Sequence, residues 1–199
     1  MTVFDLIGWF KLNGVELLGT LTGLLYIYFS IRQDILLWFF GIINALLLIW
    51  VYYFAGIYAY MLLQFYYLFI SMYGWIHWKN GGEESGAKLP VTRISRKLAI
   101  ILFLAGLLLT FAIAIALAFY TDSTIPRLDG FTTAFSIIAT WMLARKILEH
   151  WLIWIVVDLL SCGIYVFKHL YLMTILFAVY TILAVYGYLS WRKSIQINS

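Results

Sequence analysis

Trp151, Trp154 and Asp158 lie in an otherwise apolar run, Trp151-Leu-Ile-Trp154-Ile-Val-Val-Asp158. On a helix the spacing i, i+3, i+7 projects the three side chains from one face. A carboxylate at the middle of a membrane helix costs about 2.5–3.5 kcal/mol on insertion scales, so it turns towards the bundle interior and meets a partner. Indole faces beside an anion make a receptor for an organic cation, and a desolvated cation–π contact contributes about 2 kcal/mol. The chemistry this stripe fits is passage of a flat, positively charged solute of vitamin size.

The stripe continues through Ser161 and Tyr165, and an earlier apolar run offers Trp38, Gly41 and Tyr52, with Asn44 one position round from the equivalent of Asp158. Tyr60, Gln64, Tyr67 and Ser71 follow at i, i+4, i+7, i+11, answered later by Met173, Phe177, Tyr180 and Ala184. The candidate solute-binding residues are therefore Trp151, Trp154, Asp158, Asn44, Gln64, Trp38, Tyr67 and Tyr180, with the pathway expected between the helices of Trp38 and Trp151. Each has a plainer reading. Trp38 and Trp151 near run ends suit an interfacial aromatic belt. Asn44 and Gln64 suit helix-to-helix hydrogen bonds worth about 0.6–2 kcal/mol. Asp158 could pair with Lys168 or hold a proton, although Lys168 lies almost three turns away. The Ser and Thr residues, among them Thr20, Thr22, Thr133, Ser136 and Thr140, read mostly as helix contacts.

The elements that must position these groups are set by composition. The 199 residues are 65% hydrophobic and 11% charged, with mean hydropathy +0.97, far outside the soluble range. The apolar runs are continuous and long enough for helices, whereas a barrel needs short alternating segments. The expected fold is an all-α membrane protein of seven transmembrane helices. Its single cysteine, Cys162, excludes an intramolecular disulfide and a cysteine-based metal cluster.

In chain order the expected parts are a lead-in over 1–14, spans at about Val15–Ile31, Ile35–Phe54 and Ile57–Trp78 making a first unit over 15–79, and a polar loop over 80–97. A fourth, featureless span covers 98–120. The Thr121–Gly130 loop with Pro126 then opens a second unit over 121–192, with spans ending near Ala144, Phe167 and Trp191, and a tail follows over 193–199. Charge sets the orientation. With the N-terminus outside, the inner segments hold Arg32, Lys79, Lys88, Arg93, Arg96, Lys97, Arg145, Lys146, Arg192 and Lys193, and the outer ones only Lys11, Arg127 and Lys168. The C-terminus is then cytoplasmic.

An internal repeat ties the candidate residues together. A gapless shift of 113 residues aligns Thr20 with Thr133, Arg32 with Arg145, Trp38 with Trp151, Tyr52 with Tyr165 and Phe54 with Phe167. It also aligns Tyr58 with Tyr171, Tyr67 with Tyr180, Tyr73-Gly74 with Tyr186-Gly187, and Trp78-Lys79 with Trp191-Arg192. Spans one to three thus repeat as spans five to seven, and span four supplies the crossing that inserts the second copy the same way up. Two parallel three-helix repeats joined by a linker helix, with a solute near the midplane, are a known transporter plan.

Other functions find no support. There is no Ser-centred elbow, HExxH helix, carboxylate pair or phosphate-binding loop, so neither an enzyme nor an ATP-driven pump is indicated. No lysine stands in mid-span seven, as a retinal-type receptor would need. His77, His150 and His169 sit at span ends without ligand spacing, so no metal or other cofactor is expected. The basic residues report topology and form no nucleic-acid patch. One buried carboxylate makes facilitated diffusion simpler than ion coupling.

The motifs Phe39-Phe40-Gly41-Ile42-Ile43-Asn44, Leu62-Leu63-Gln64 leading to Tyr73-Gly74-Trp75, and Arg145-Lys146 followed by Glu149, Trp151 and Trp154 resemble the PnuC family of bacterial vitamin transporters. The resemblance covers nearly the whole chain outside the 79–97 loop and span four. It implies nicotinamide riboside uptake across the bacterial inner membrane, a three-plus-one-plus-three helix plan related to the SWEET sugar transporters, and a homotrimer. It further implies downhill entry followed by trapping through a cytoplasmic kinase, with binding roles falling on Asn44, Gln64, Trp151, Trp154 and the residue at Asp158. One departure stands out. Where riboside carriers can end the Trp-x-x-Trp-x-x-x motif in an amide, this chain has Asp158, and related members carry thiamine, so both cationic vitamins fit.

Overall fold

The computed structural model describes residues 3–54, 56, 58–81, 89–121 and 123–197. Among them seven helices run in order: α1 Val3–Ile31, α2 Leu36–Phe54, α3 Tyr58–Asn80, α4 Arg96–Tyr120, α5 Pro126–Ala144, α6 His150–Phe167 and α7 Tyr171–Ile197. The chain divides into two compact units, Met1–Lys88 and Leu89–Ser199. In the first, α2 packs against both α1 and α3; in the second, α5 packs against α4 and α6, and α6 against α7.

Several boundaries differ from the sequence expectation, each for a local reason. The lead-in is continuous with the first long helix, which starts at Val3. Helix α5 begins at Pro126 rather than beyond Gly130, because proline at the first helical position loses no bond and brings a helical φ. Helix α4 begins at Arg96, where the Ser95 hydroxyl accepts the Leu98 N–H at 3.3 Å and caps the free end.

The helix ends explain how short connections reverse the chain. After α1, Gln33 takes a left-handed φ of 55°, and its N–H and that of Asp34 donate to the carbonyls of Ser30 and Phe29. The α5–α6 turn repeats this with Lys146 at φ 51° and bonds from Lys146 and Ile147 to Leu143 and Met142. The α6–α7 turn uses His169 at φ 56°. Paired bonds of this kind satisfy the last carbonyls of a helix, and glycine is their usual left-handed residue. Gly56, at φ 71°, fills the equivalent place after α2. Gln33 and Lys146, and likewise Gly56 and His169, are 113 positions apart. The same turn therefore recurs at the offset seen in the side chains.

Exposure identifies the medium. Leu108 and Phe111 of α4 are 71% and 66% exposed, and Ile100, Phe103, Leu104 and Phe119 stand out beside them. So wide an apolar face is unstable in water and is matched by hydrocarbon. By length and composition α2, α4, α6 and the Tyr171–Ile195 stretch of α7 are apolar enough to cross a membrane, and Leu18–Ile31 is a shorter apolar stretch. The seven spans expected from the apolar runs thus reduce to four by this measure. Helices α3 and α5 fall short because they carry polar side chains, and several of these point inwards: Gln64 and Ser71 on α3, and Ser136 and Thr140 on α5, are buried. Helix α4 lies close on α5, since a Cβ on Gly130 would stand 2.9 Å from the Thr110 carbonyl oxygen and 3.0 Å from the Ala114 nitrogen.

Candidate functional site

In the second unit the exposed positions Leu152, Val156 and Leu159 mark one face of α6, and Trp151, Val157, Asp158, Ser161 and Ile164 lie buried on the other. Asp158 is only 5% exposed, so the carboxylate does not face the surroundings. Tyr180 of α7 and Cys162 one turn along α6 lie within electrostatic reach of it. The Cys162 thiol itself is directed at the Thr174 carbonyl, 3.6 Å away. Two turns beyond Asp158, Tyr165 meets Phe177 at 5.1 Å between ring centroids, and Phe177 meets Tyr180 at 5.6 Å. A row of rings therefore runs from the end of α6 to the buried carboxylate. One turn before Asp158, Trp154 packs against a core cluster that contains Ala134, Phe135 and Val157. Trp154 and Asp158 thus lie on the part of α6 that packs against α5 and α7, with Tyr180 of α7 beside Asp158.

Trp151 is placed differently. Its indole lies against Gly187, where a Cβ would stand 2.6 Å from the ring, and meets Trp191 edge to face at 5.8 Å. His150, fully buried, completes the cluster with centroids 4.6 Å from Trp151 and 4.8 Å from Trp191. Its Nδ1 lies 2.7 Å from the Ile147 carbonyl. In the first unit Trp38 repeats the arrangement: it lies against Gly74 so closely that a Cβ there would overlap the ring, and it meets Trp78 edge to face at 5.5 Å. Both indole N–H groups are buried without a hydrogen bond among the described residues. These two indoles act as wedges that set the separation of α2 from α3 and of α6 from α7.

The remaining candidates belong to the first unit. The Asn44 amide donates to the Gly19 carbonyl at 2.8 Å and to the Thr22 hydroxyl at 2.9 Å, so both donors go to α1. Thr22 in turn donates to the Leu18 and Gly19 carbonyls. Gln64 is buried in mid-α3. An amide both donates and accepts, so Gln64 is chemically able to meet a polar guest. Tyr67 falls within electrostatic reach of Tyr26 on α1, as does Tyr66. The side chain of Tyr60, grouped with them by spacing, lies outside the described residues.

Spacing alone missed Tyr26. It touches the open side of Gly41, where a Cβ would be 3.0 Å from the Tyr26 ring and 2.9 Å from the Ser71 hydroxyl. Its position one turn after Thr22 on an apolar helix was the available signal. His150 was set aside for want of ligand spacing, and its burial among indoles has no signature in one sequence.

The chain can now be compared with known proteins. Nicotinamide riboside transporter PnuC of Escherichia coli (strain K12) is 27% identical over 94% of this chain and 88% of its own length. That of Neisseria mucosa is 25% identical over 91% of this chain and 73% of its own. The crystal structure of the vitamin B3 transporter PnuC superposes with TM-score 0.74 at 22% identity, covering 100% of this chain and 94% of that one, which shows a shared fold. The sequence profile of the nicotinamide mononucleotide transporter family matches residues 13–193, and the chain belongs to that family.

Proposed function

We propose that this protein carries nicotinamide riboside across the bacterial inner membrane by facilitated diffusion, and that a cytoplasmic kinase traps the product. The observation that carries the reading is Asp158: a buried carboxylate on an aromatic-lined helix, with no ion pair among the described residues. Nicotinamide riboside brings one delocalised pyridinium charge, a flat ring for stacking and ribose hydroxyls for polar partners. In the second unit the proposed contact residues are Trp154, Asp158 and Tyr180; in the first unit, taken by itself, the candidates are Gln64 and Tyr67. Asn44, Trp38 and Trp151 act one step back, by fixing the helices that carry them.

The family is described by the mononucleotide and the named relatives by the riboside, and the chemistry favours the riboside. A phosphate adds about −1.5 to −2 charges and needs Arg, Lys or a helix N-terminus to replace its water. Between Lys11 and Lys193 every Lys and Arg among the described residues lies within two turns of a helix end or beyond it: Arg32, Lys79, Arg93, Arg96, Lys97, Arg127, Arg145, Lys146, Lys168 and Arg192. Among the described residues no Lys or Arg is buried in the middle of a helix, whereas the Asp158 carboxyl group is. The same argument explains trapping, since phosphorylation gives the riboside a charge that this interior repels.

The wider plan follows the same lines. Seven spans, two three-helix repeats joined by α4, an outside N-terminus and a trimeric assembly are proposed on the basis of the recurrent turns, the recurrent Trp–Gly wedges and the resemblance of the motifs. Thiamine is the second reading, because its thiazolium charge would suit Asp158 equally well. Labelled riboside and labelled thiamine, offered separately to vesicles that contain the protein, separate the two. We expect riboside uptake at least tenfold above empty vesicles and thiamine uptake near the blank; the reverse order would transfer the assignment to thiamine.

A further inference from the structure

We propose that residues 89–94 form a strap over the α5–α6 turn, and that Lys146 and Glu149 are positioning residues which fix the start of α6 through it. The importance of that start rests on the reading above, in which α6 carries Trp154 and Asp158.

The strap is a set of bonds from separate parts of one short segment. Thr92 pairs with Ile147 as an isolated parallel bridge: the Thr92 N–H donates to the Lys146 carbonyl at 2.9 Å, and the Leu148 N–H donates to the Thr92 carbonyl at 2.9 Å. Two residues on, the Ile94 N–H donates to Glu149 Oε2 at 2.9 Å. At the other end, the Lys146 ammonium donates to the Leu89 carbonyl at 2.8 Å. Four bonds thus join Leu89, Thr92 and Ile94 of the connection before α4 to Lys146, Leu148 and Glu149 of the turn before α6.

Both side chains are used in an unusual way. Glu149 is the residue before α6, yet its carboxylate makes no bond to the first turn of that helix and reaches the strap instead. Lys146 is only 2% exposed and left-handed in backbone, and a buried ammonium persists only where polar groups surround it. The matching turn of the first unit is built otherwise: there Asp34 Oδ1 accepts the Leu36 N–H at 3.0 Å and caps α2 from within. Beyond the strap, Ser95 caps α4 at once, and α4 lies against α5 down to Gly130. The strap therefore closes α4, α5 and the start of α6 into one piece, and holds the angle at which α6 leaves the turn.

The test uses the full chain in liposomes with three variants: Glu149→Ala, Glu149→Gln and Lys146→Met. Amide hydrogen exchange is followed in peptides covering 89–95, 145–152 and 32–38, and riboside uptake is measured over a range of concentrations. Glu149→Ala and Lys146→Met should speed exchange at least tenfold in both 89–95 and 145–152 and leave 32–38 unchanged. The half-saturation concentration should rise several-fold, and Glu149→Gln, whose amide oxygen still accepts from Ile94, should restore both readouts. Unchanged exchange at 145–152 in the two disruptive variants would overturn the strap. Faster exchange with an unchanged half-saturation concentration would overturn the positioning role. If the wild-type chain moves no riboside, the transport reading falls, and the exchange arm decides the strap by itself.

Discussion

Asp158→Asn should weaken handling of a cationic vitamin by about 10- to 100-fold, and of a neutral isostere of the same shape by no more than about threefold. The substitution keeps shape and volume, removes the charge and exchanges one accepting oxygen for a donating amide nitrogen. At 5% exposure Asp158 has little water to screen it, and truncating one partner of a desolvated charge pair costs roughly 2–5 kcal/mol, of which each 1.4 kcal/mol is a factor of ten. The isostructural amide softens this, hence the lower range. The measurement is competition against labelled riboside in vesicles, with nicotinamide riboside and a carbon-for-nitrogen analogue that lacks the pyridinium charge. Equal losses for both would remove the electrostatic role of Asp158 and leave it a polar helix contact.

The second large effect concerns the wedges. Gly187→Ala places a methyl 2.6 Å from the Trp151 ring, and a contact this short forces either the ring or α7 to shift. Overpacking of this kind costs about 1–3 kcal/mol, and Gly74→Ala against Trp38 should behave alike. Trp151→Phe alone loses part of a buried indole but opens room for that methyl. Combined with Gly187→Ala it should cost at least 0.5 kcal/mol less than the two single losses together, the sign of direct coupling. Thermal unfolding in detergent reads the cycle. If Trp151 only positions α6, Trp151→Phe should lower the unfolding midpoint far more than it changes riboside affinity, whereas Trp154→Phe should do the reverse. Additive losses in the cycle would mean that the ring and the glycine do not meet in the folded protein.

How much of this was legible in the sequence depends on whether the signal was periodic or local. The helical class and the placing of Asp158 on a buried face followed from the apolar runs and the i, i+3, i+7 stripe, because a carboxylate in hydrocarbon has only one tolerable direction. The 113-residue offset was visible in Trp, Gly and Arg, and the backbone repeats it at Gln33 and Lys146 and at Gly56 and His169. What spacing could not assign was the partner of each residue. Trp38 and Trp151 suited a belt or a binding site equally well, and only the glycine opposite, on another helix, reveals the wedge. Asn44 is similar, since its partners Gly19 and Thr22 are 25 and 22 residues away.

The turns were missed for a different reason. Their left-handed residue is normally glycine, and here three of them are filled by Gln33, Lys146 and His169. The strap was also hidden. A polar, basic stretch such as Arg93 to Lys97 reads as a solvated loop, and a single bridge at Thr92 leaves no alternating pattern. The number of spans depended on hydropathy, which penalises α3 and α5 for the inward polar groups that a pathway requires.

The claim on which the account stands is that this chain passes a flat, unphosphorylated cation without an energy source. Purified protein in sealed liposomes, with no ion gradient and no kinase, tests it directly. Labelled nicotinamide riboside should enter until the inner and outer concentrations are equal and no further, and nicotinamide mononucleotide should stay outside. Entry of the mononucleotide at a comparable rate, or a riboside concentration inside that rises above the outer one when an ion gradient is imposed, would contradict it.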